Sequence, residues 1–192
     1  LFPILEALTN EFPESFFSID TFRSEIAKIS IEIGSSIIND ISGGKFDKKM
    51  FEVIAKNKVP YVMMHMKGTP MTMQLNPEYK NVVIDVLNFF VKQVKIAQDI
   101  GVTDIIIDPG FGFGKSLDHN FELLKGLNLF KKISCPILIG LSRKSMIYNI
   151  LNGNPNKSLN GTTILNTFAL INGANIIRVH DVKEAKECIT LC

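Results

Sequence analysis

The chain alternates between short apolar runs and longer stretches in which apolar residues recur every three or four positions. The short runs predict β-strands at Ser15 to Asp20, Ser36 to Ile41, Tyr61 to Met66, Ile105 to Asp108, Pro136 to Ser142 and Ile176 to Asp181. The longer stretches predict helices at 22–33, 46–57, 78–100, 117–131, 144–151, 160–172 and 182–191. In the helix at 78–100 the predicted core stripe consists of Val82, Val83, Val86, Phe89, Phe90, Val94 and Ala97.

Strands that alternate with helices over short connections are typical of a parallel sheet. No linker, repeat or low-complexity tract interrupts the alternation, so we predict one domain over residues 1–192. A closed (β/α)8 barrel needs eight units and about 250 residues. We therefore predict an α/β fold that is a partial TIM barrel with six strand–helix units, and an open six-stranded sheet is the alternative. Because the chain starts without Met on an apolar run, we expect it to begin inside a helix of a longer protein.

An apolar strand that ends in a carboxylate is the most informative feature of the chain. Three isoleucines lead into Asp108, and Pro109 then ends the strand. Three glycines follow at alternate positions up to Gly114, which lets the backbone approach a ligand closely. Asp is unfavourable inside strands, so its place here favours a functional role at the edge where such folds bind ligands.

Polar residues also end the other predicted strands. They are Asp20, Asn39 with Asp40, His65 with Lys67, Ser142 with Arg143 and Lys144, and Arg178 with His180. In a parallel barrel these strand ends share one face, so the residues should converge. Two members have simpler explanations, since Asp20 suits a helix cap near Phe22 and Asn39-Asp40 suits a turn.

The last predicted strand carries two basic residues. Period-2 alternation places Arg178 and His180 on the same strand face, an arrangement that favours anion binding. The alternative is that Arg178 pairs with an acid such as Asp20 or Asp181.

Two further motifs contain lysines. Lys144 and Ser145 follow a strand and precede a helix, a position suited to anion or carbonyl contacts, although adjacent basic residues such as Arg143 and Lys144 are usually solvated surface charges. Lys115 lies in a Gly-Lys-Ser sequence, but Pro109 occupies the position of the first glycine of a P-loop. The alternate glycines also differ from the dinucleotide fingerprint, so we predict neither kind of nucleotide site.

The composition is that of an ordinary globular protein, with 192 residues, 46% hydrophobic and 21% charged. A net charge of +2 favours neither nucleic acid nor a membrane surface as a partner. The cysteines are odd in number and lack a CxxC pair, which predicts neither a disulfide framework nor a zinc site and fits the cytoplasm. No apolar run is long enough for a spanning helix.

Taken together, the strand-end motifs resemble those of bacterial dihydropteroate synthases, in family order and over the whole chain. The matching segments are Ser18 to Thr21, Ile37 to Ile41, Met64 to Met66, Asp108 to Lys115, Ser142 to Ser145 and Arg178 to Asp181. The resemblance implies strands 3 to 8 of a (β/α)8 barrel. It also implies transfer of the dihydropterin-methyl group from 6-hydroxymethyl-7,8-dihydropterin diphosphate to p-aminobenzoate, with release of diphosphate, in folate biosynthesis.

The resemblance further implies a role for each matching residue. Pterin binding is implied for Asp20, Asn39, Ile41, Met64, Asp108, Phe113, Gly140 and Lys144. Diphosphate binding is implied for Arg178, Val179 and His180, and p-aminobenzoate binding for Phe113, Lys144 and Ser145. The residues that would contribute to catalysis are Lys144, Asp108 and Arg178.

The family also has features that this sequence lacks. Its first two strands carry mobile loops, and one loop supplies a ligand to Mg²⁺, so we expect no metal ligand within this chain. The predicted strands at 15–20 and 176–181 would be exposed edges, and we expect these 192 residues alone to fold poorly or to lack synthase activity. A homodimer through the last helices is expected. The alternatives are a folate-binding methyltransferase-type domain and a catalytically incomplete pterin-binding module.

Overall fold

The computed structural model describes residues 1–73, 75 and 77–192. These residues form two compact units. The first contains residues 1–65 and 90–107, and the second contains residues 66–89 and 108–192. Helix α4 (Val82–Ile100) and strand β4 (Ile105–Asp108) each contribute residues to both units.

The first unit is built on parallel strands that follow the chain order. Its elements are α1 (Phe2–Glu11), β1 (Ser18–Asp20), α2 (Ser24–Ile33), β2 (Ile37–Asp40), α3 (Met50–Asn57) and β3 (Tyr61–Met64), followed by the end of α4 and the isoleucines of β4. The sheet order is β1-β2-β3-β4, with Ile19 opposite Ile38 and Ile38 opposite Tyr61. Every residue of β3 and β4 is buried, which is the pattern of parallel strands covered on both faces.

The second unit contains the remaining elements. They are the start of α4, α5 (Leu117–Lys125), a 3₁₀ helix (Leu127–Ile133), β5 (Leu138–Ile139), α6 (Ser145–Tyr148), a 3₁₀ turn (Pro155–Lys157), α7 (Leu159–Ile171), β6 (Ile176–Ile177) and α8 (Val182–Leu191). Strands β5 and β6 are parallel, with Leu138 opposite Ile176. A capping box begins α5, because Ser116 Oγ accepts from the His119 amide at 3.1 Å while His119 Nδ1 accepts from the Ser116 amide at 3.2 Å.

The predicted alternation of parallel strands and helices is confirmed, and β4 has the predicted bounds. The other strands are shorter than predicted. Strand β1 begins at Ser18 because Ser15 still belongs to a turn, where its amide donates to the Phe12 carbonyl at 3.0 Å. The last two strands are each two residues long, and the Arg178 amide just after β6 donates to the Ile139 carbonyl at the end of β5 at 2.8 Å.

Several helix predictions also need correction. The helices predicted from residues 46 and 78 begin at Met50 and Val82, and the helix predicted at 144–151 ends at Tyr148. The helix predicted at 117–131 is α-helical only to Lys125 and continues as the 3₁₀ helix. The helix predicted from residue 22 begins at Ser24. In the described part of the chain, no helix combines the length and apolar character needed to cross a membrane. The prediction of a single domain stays a prediction.

Candidate active site

The first unit brings Asp20 and Asn39 together at the ends of neighbouring strands. Asp20 is the last residue of β1 and lies opposite Asn39 in the parallel register of β2. Asn39 is buried and Asp20 is exposed. Met64 ends β3 and is fully buried, and Ile41 follows β2 in a half-buried position. Parallel strand pairing therefore accounts for the predicted proximity of Asp20 and Asn39.

The turn after β2 depends on Asp40 rather than on Asn39. The Asp40 carboxylate is fully buried and accepts from the amides of Ser42 at 2.7 Å and Gly44 at 3.0 Å. The Tyr61 hydroxyl donates to the same carboxylate at 2.7 Å. Burial, and then the Asp40 charge, raise the pKa of Tyr61 well above its ordinary value. The alternative for the Asn39-Asp40 pair was a structural role in a turn, and this role belongs to Asp40.

Helix capping, the alternative for Asp20, is wrong. Helix α2 has Arg23 at its N-cap, and the Arg23 side chain makes no capping hydrogen bond. The Ser24 amide at the start of the helix instead donates to Asp47 Oδ2 at 2.7 Å.

In the second unit Asp108 is held on both carboxylate oxygens. Oδ1 accepts from the Gly110 amide at 2.8 Å, and Oδ2 accepts from Arg178 Nη2 at 2.8 Å. The Asp108 side chain is 1% exposed, while that of Arg178 is 43% exposed. Gly140 lies beside this pair, and a Cβ added to it would be 2.9 Å from Arg178 Nη2. A glycine at position 140 therefore leaves the space that the guanidinium occupies.

The loop after β4 carries Phe113 towards Lys144. Gly110, Gly112 and Gly114 have φ angles of 70°, 81° and 65°, in the region where side chains are disfavoured. Lys144 Nζ lies 4.7 Å from the centre of the Phe113 ring and donates to the Phe111 carbonyl. The alternate glycines thus allow a turn that places an aromatic ring beside a lysine.

Lys144 is not a solvated surface charge. Burial lowers its pKa from 10.5 to about 8, with the positive charge of Arg178 also lowering it and the Asp108 carboxylate opposing the shift. Its neighbour Arg143 is also engaged, because Nη2 lies 2.5 Å from Asp181 Oδ1 and Nε donates to Oδ2 at 3.2 Å. The alternative of a solvated surface pair is therefore wrong. The alternative for Arg178 was pairing with an acid such as Asp20 or Asp181, and the structure pairs it instead with Asp108, while Asp181 has Arg143 as a partner.

The end of β6 leads to His180, whose ring is oriented by Ser142. Ser142 Oγ lies 2.9 Å from His180 Nδ1 and accepts from the His180 amide at 3.2 Å. Ser142 is buried and the histidine is exposed. Val179 is half-buried between the two basic residues, and Ser145 is exposed at the start of α6.

The second unit thus brings together Asp108, Lys144 and Arg178, as predicted from the strand ends. Phe113 and Gly140, which only the family resemblance indicated, lie beside them. Sequence reasoning missed the contacts of Asp40 with Tyr61 and of Arg143 with Asp181. A carboxylate at the end of a buried strand and before a Ser-Gly-Gly turn was an available signal for Asp40, whereas nothing local indicates the second pair.

Within residues 1–73, 75 and 77–192, no group of three or more His, Cys, Asp or Glu side chains is arranged to hold a metal ion. The described residues therefore offer no such cluster to the Mg²⁺ that the family resemblance implies, and no chemical step is assigned to that ion.

Comparisons with known proteins identify close relatives. Residues 1–180 match a family described as pterin binding enzyme. The dihydropteroate synthase of Escherichia coli K12 is 40% identical over 189 residues, which are 97% of this chain and 66% of that protein. The chain therefore spans just under two thirds of that relative.

Solved structures give the same result. The Yersinia pestis dihydropteroate synthase, solved in a sulfonamide drug complex, matches with a TM-score of 0.93 and 36% identity. The alignment covers 99% of this chain and 69% of the Y. pestis chain. The Thermus thermophilus dihydropteroate synthase in complex with 6HMPPP has a TM-score of 0.94 and 35% identity, covering 100% of this chain and 76% of its own. The T. thermophilus enzyme was also solved in complex with 4-aminobenzoate. These similarities confirm the predicted resemblance and the α/β fold class of this barrel family.

Proposed function

The chain belongs to the family of pterin binding enzymes, and from this premise we propose that the natural protein is a dihydropteroate synthase. It transfers the dihydropterin-methyl group from 6-hydroxymethyl-7,8-dihydropterin diphosphate to p-aminobenzoate in folate biosynthesis. The observation that carries the proposal is the buried Asp108 carboxylate with Arg178 bonded to it. The names of the relatives support it, including the T. thermophilus structures with 6HMPPP and 4-aminobenzoate.

The pterin ring would bind through its polar edge. As the family resemblance implies, Asp20, Asn39 and Asp108 would offer oxygen acceptors to the ring N–H and amino donors, and Lys144 would donate to the ring carbonyl and a ring nitrogen. The apolar surface of the slot would consist of Ile41, Met64, Phe113 and Gly140. A hydrogen bond to a charged group contributes roughly 1.5–3 kcal/mol, so a ring that cannot satisfy these groups binds poorly.

The diphosphate would bind at the end of β6. Arg178 can donate two parallel N–H groups to phosphate oxygens, while His180 and the Val179 backbone lie beside it. Negative charge develops on the diphosphate as its bond to the methylene carbon breaks, and nearby cationic donors stabilise that charge. Arg178 is assigned a catalytic role for this reason.

The reaction breaks the methylene C–O bond and forms a C–N bond to the aniline nitrogen of p-aminobenzoate. The electron-rich pterin supports positive charge on the methylene carbon, diphosphate leaves with the bonding electrons, and the aniline nitrogen loses a proton. Phe113, Lys144 and Ser145 would hold the p-aminobenzoate for attack. Positioning of the two substrates contributes more here than a strong base.

The proposal includes three properties of the whole protein. Mg²⁺ would accompany the diphosphate, the protein would form a homodimer through its last helices, and it would act in the cytoplasm. We also propose that residues 1–192 fold as part of a single barrel domain.

Calorimetric titration with dihydropterin diphosphate tests the proposal. Wild-type natural protein and its Asp108→Ala variant are titrated side by side, with and without Mg²⁺ and p-aminobenzoate. We expect binding by the wild type, loss of binding in the variant, and dihydropteroate formation when both substrates are present. Binding without product would favour a non-catalytic pterin module, and no binding by folded wild-type protein would refute the proposal.

A further inference from the structure

Lys115 has no role in the site described so far, although the glycine loop leads directly into it. We propose that Lys115 is a positioning residue, whose buried ammonium group holds the glycine loop (residues 110–114) in the conformation that presents Phe113 and Lys144 to the second substrate. This inference rests on the proposed function.

The ammonium group of Lys115 points into the protein. The residue is 3% exposed, and Nζ donates to the carbonyls of Gly110 at 2.9 Å and Phe113 at 3.1 Å. A buried ammonium group is unfavourable unless it is hydrogen-bonded, so its contacts with these carbonyls are part of the folded state.

Other side chains form hydrogen bonds with further backbone groups of the loop. The Tyr79 hydroxyl donates to the Gly114 carbonyl at 2.8 Å, and Asn120 Oδ1 accepts from the Gly112 amide at 2.7 Å. Lys144 donates to the Phe111 carbonyl. Side chains thus bind the carbonyls of residues 110, 111, 113 and 114, although the backbone itself is rich in glycine. This network replaces the rigidity that the glycines remove.

The geometry connects Lys115 to two proposed substrate contacts. The Phe113 carbonyl is bound by Lys115, while the ring of the same residue lies 4.7 Å from Lys144 Nζ. Releasing the carbonyl would therefore allow the ring to move relative to the lysine. Phe113, the only proposed contact within the loop, is one of eight proposed pterin contacts but one of three proposed p-aminobenzoate contacts. The second substrate should therefore be affected more than the pterin.

The test is Lys115→Met in the natural protein, with the exposed Lys125→Met on α5 as a matched control. Misplacing a positioned group by about 1 Å can cost on the order of 100-fold in rate, so we expect kcat/KM for p-aminobenzoate to fall by roughly 30- to 100-fold. The Kd for dihydropterin diphosphate should change by less than about threefold, a small effect in free energy. Amide hydrogen exchange at residues 112–114 should accelerate in the variant and stay unchanged in the control.

Tyr79→Phe is the second variant, in case Lys115→Met does not fold. It removes only the hydroxyl bound to the Gly114 carbonyl, and it should give the same pattern with a smaller loss. A general loss of stability would lower the melting temperature without separating the two substrates. If both variants match Lys125→Met in loop exchange and in p-aminobenzoate kinetics, the inference is wrong. Wild-type protein that makes no dihydropteroate would refute the proposed function, whereas the exchange measurement would still test the role of Lys115.

Discussion

Raising the pH from about 7 to about 9.5 should weaken binding of dihydropterin diphosphate, because Lys144 loses its proton within this range. Burial lowers the pKa of Lys144 to about 8. In the proposed complex the lysine donates to the pterin carbonyl and a ring nitrogen, which requires the charged form. The affinity should therefore fall as the pH rises through the pKa of Lys144 in the unliganded protein.

The expected change in the Kd follows from the fraction of Lys144 that remains protonated. One pH unit above the pKa roughly one tenth of the lysine remains charged, so the apparent Kd should rise about tenfold, which corresponds to about 1.4 kcal/mol.

Folding stability should respond to pH in the opposite direction. The pKa of Lys144 lies below 10.5 in the folded protein, so the unfolded chain binds more protons between pH 8 and 10.5 and stability rises with pH there.

Lys144 can raise the free energy of unfolding by at most roughly 3 kcal/mol over this pH range. Partial exposure of its side chain makes the actual contribution smaller. Calorimetric titrations at a series of pH values measure the affinity, and urea unfolding at the same values measures the stability. Lys144→Met supplies the stability reference, since it lacks the titrating group.

Lys144→Arg is the control for binding, because arginine keeps its charge throughout the range. Its affinity should be nearly independent of pH between about 8 and 9.5, whatever its absolute value. A wild-type affinity that stays constant over this range would refute the reasoning. Parallel loss of affinity and stability would also refute it, since unfolding would then explain the weaker binding.

Three further substitutions test other contacts. Tyr61→Phe removes the 2.7 Å hydrogen bond to the buried Asp40 carboxylate, and should lower the free energy of unfolding in urea by about 1–3 kcal/mol; unchanged stability would contradict the contact. Ser142→Ala releases the ring of His180 and should weaken binding of inorganic diphosphate roughly three- to tenfold by calorimetry, equivalent to about one lost hydrogen bond; equal affinity would contradict this orienting role. Gly114→Ala would press a Cβ against the Lys67 backbone carbonyl oxygen at a φ of +65°, and should destabilise the protein by more than about 1 kcal/mol in thermal unfolding; a variant as stable as the wild type would contradict the loop geometry.

Local patterns were sufficient for much of the fold. The isoleucines before Asp108 predicted β4 with its observed bounds, because a buried parallel strand is continuously apolar. The proximity of Asp20 and Asn39 was also predictable, since parallel strands align their ends on one edge. These features depend on neighbouring residues or on a regular ladder.

The missing details depend on contacts between distant parts of the chain. The partner of Asp181 is Arg143, 38 positions earlier, and the partner of Asp108 is Arg178, 70 positions later. No periodicity indicates which acid a given arginine binds. The short length of β6 was not predictable either, because a ladder needs a partner strand and β5 is itself only two residues long. Side-chain pairing and sheet ends therefore required the structure.

The ion pair between Asp108 and Arg178 has a thermodynamic consequence for the proposed ligand. In the proposed complex Asp108 would contact the pterin and Arg178 the diphosphate, so their ion pair would compete with the ligand for both groups. A molecule that carries both pterin and diphosphate can satisfy the two groups in one exchange, whereas a pterin alone would leave the guanidinium without its carboxylate. The two ends of the ligand should therefore bind cooperatively. After diphosphate departs, the same pair can re-form and works against retention of the pterin product.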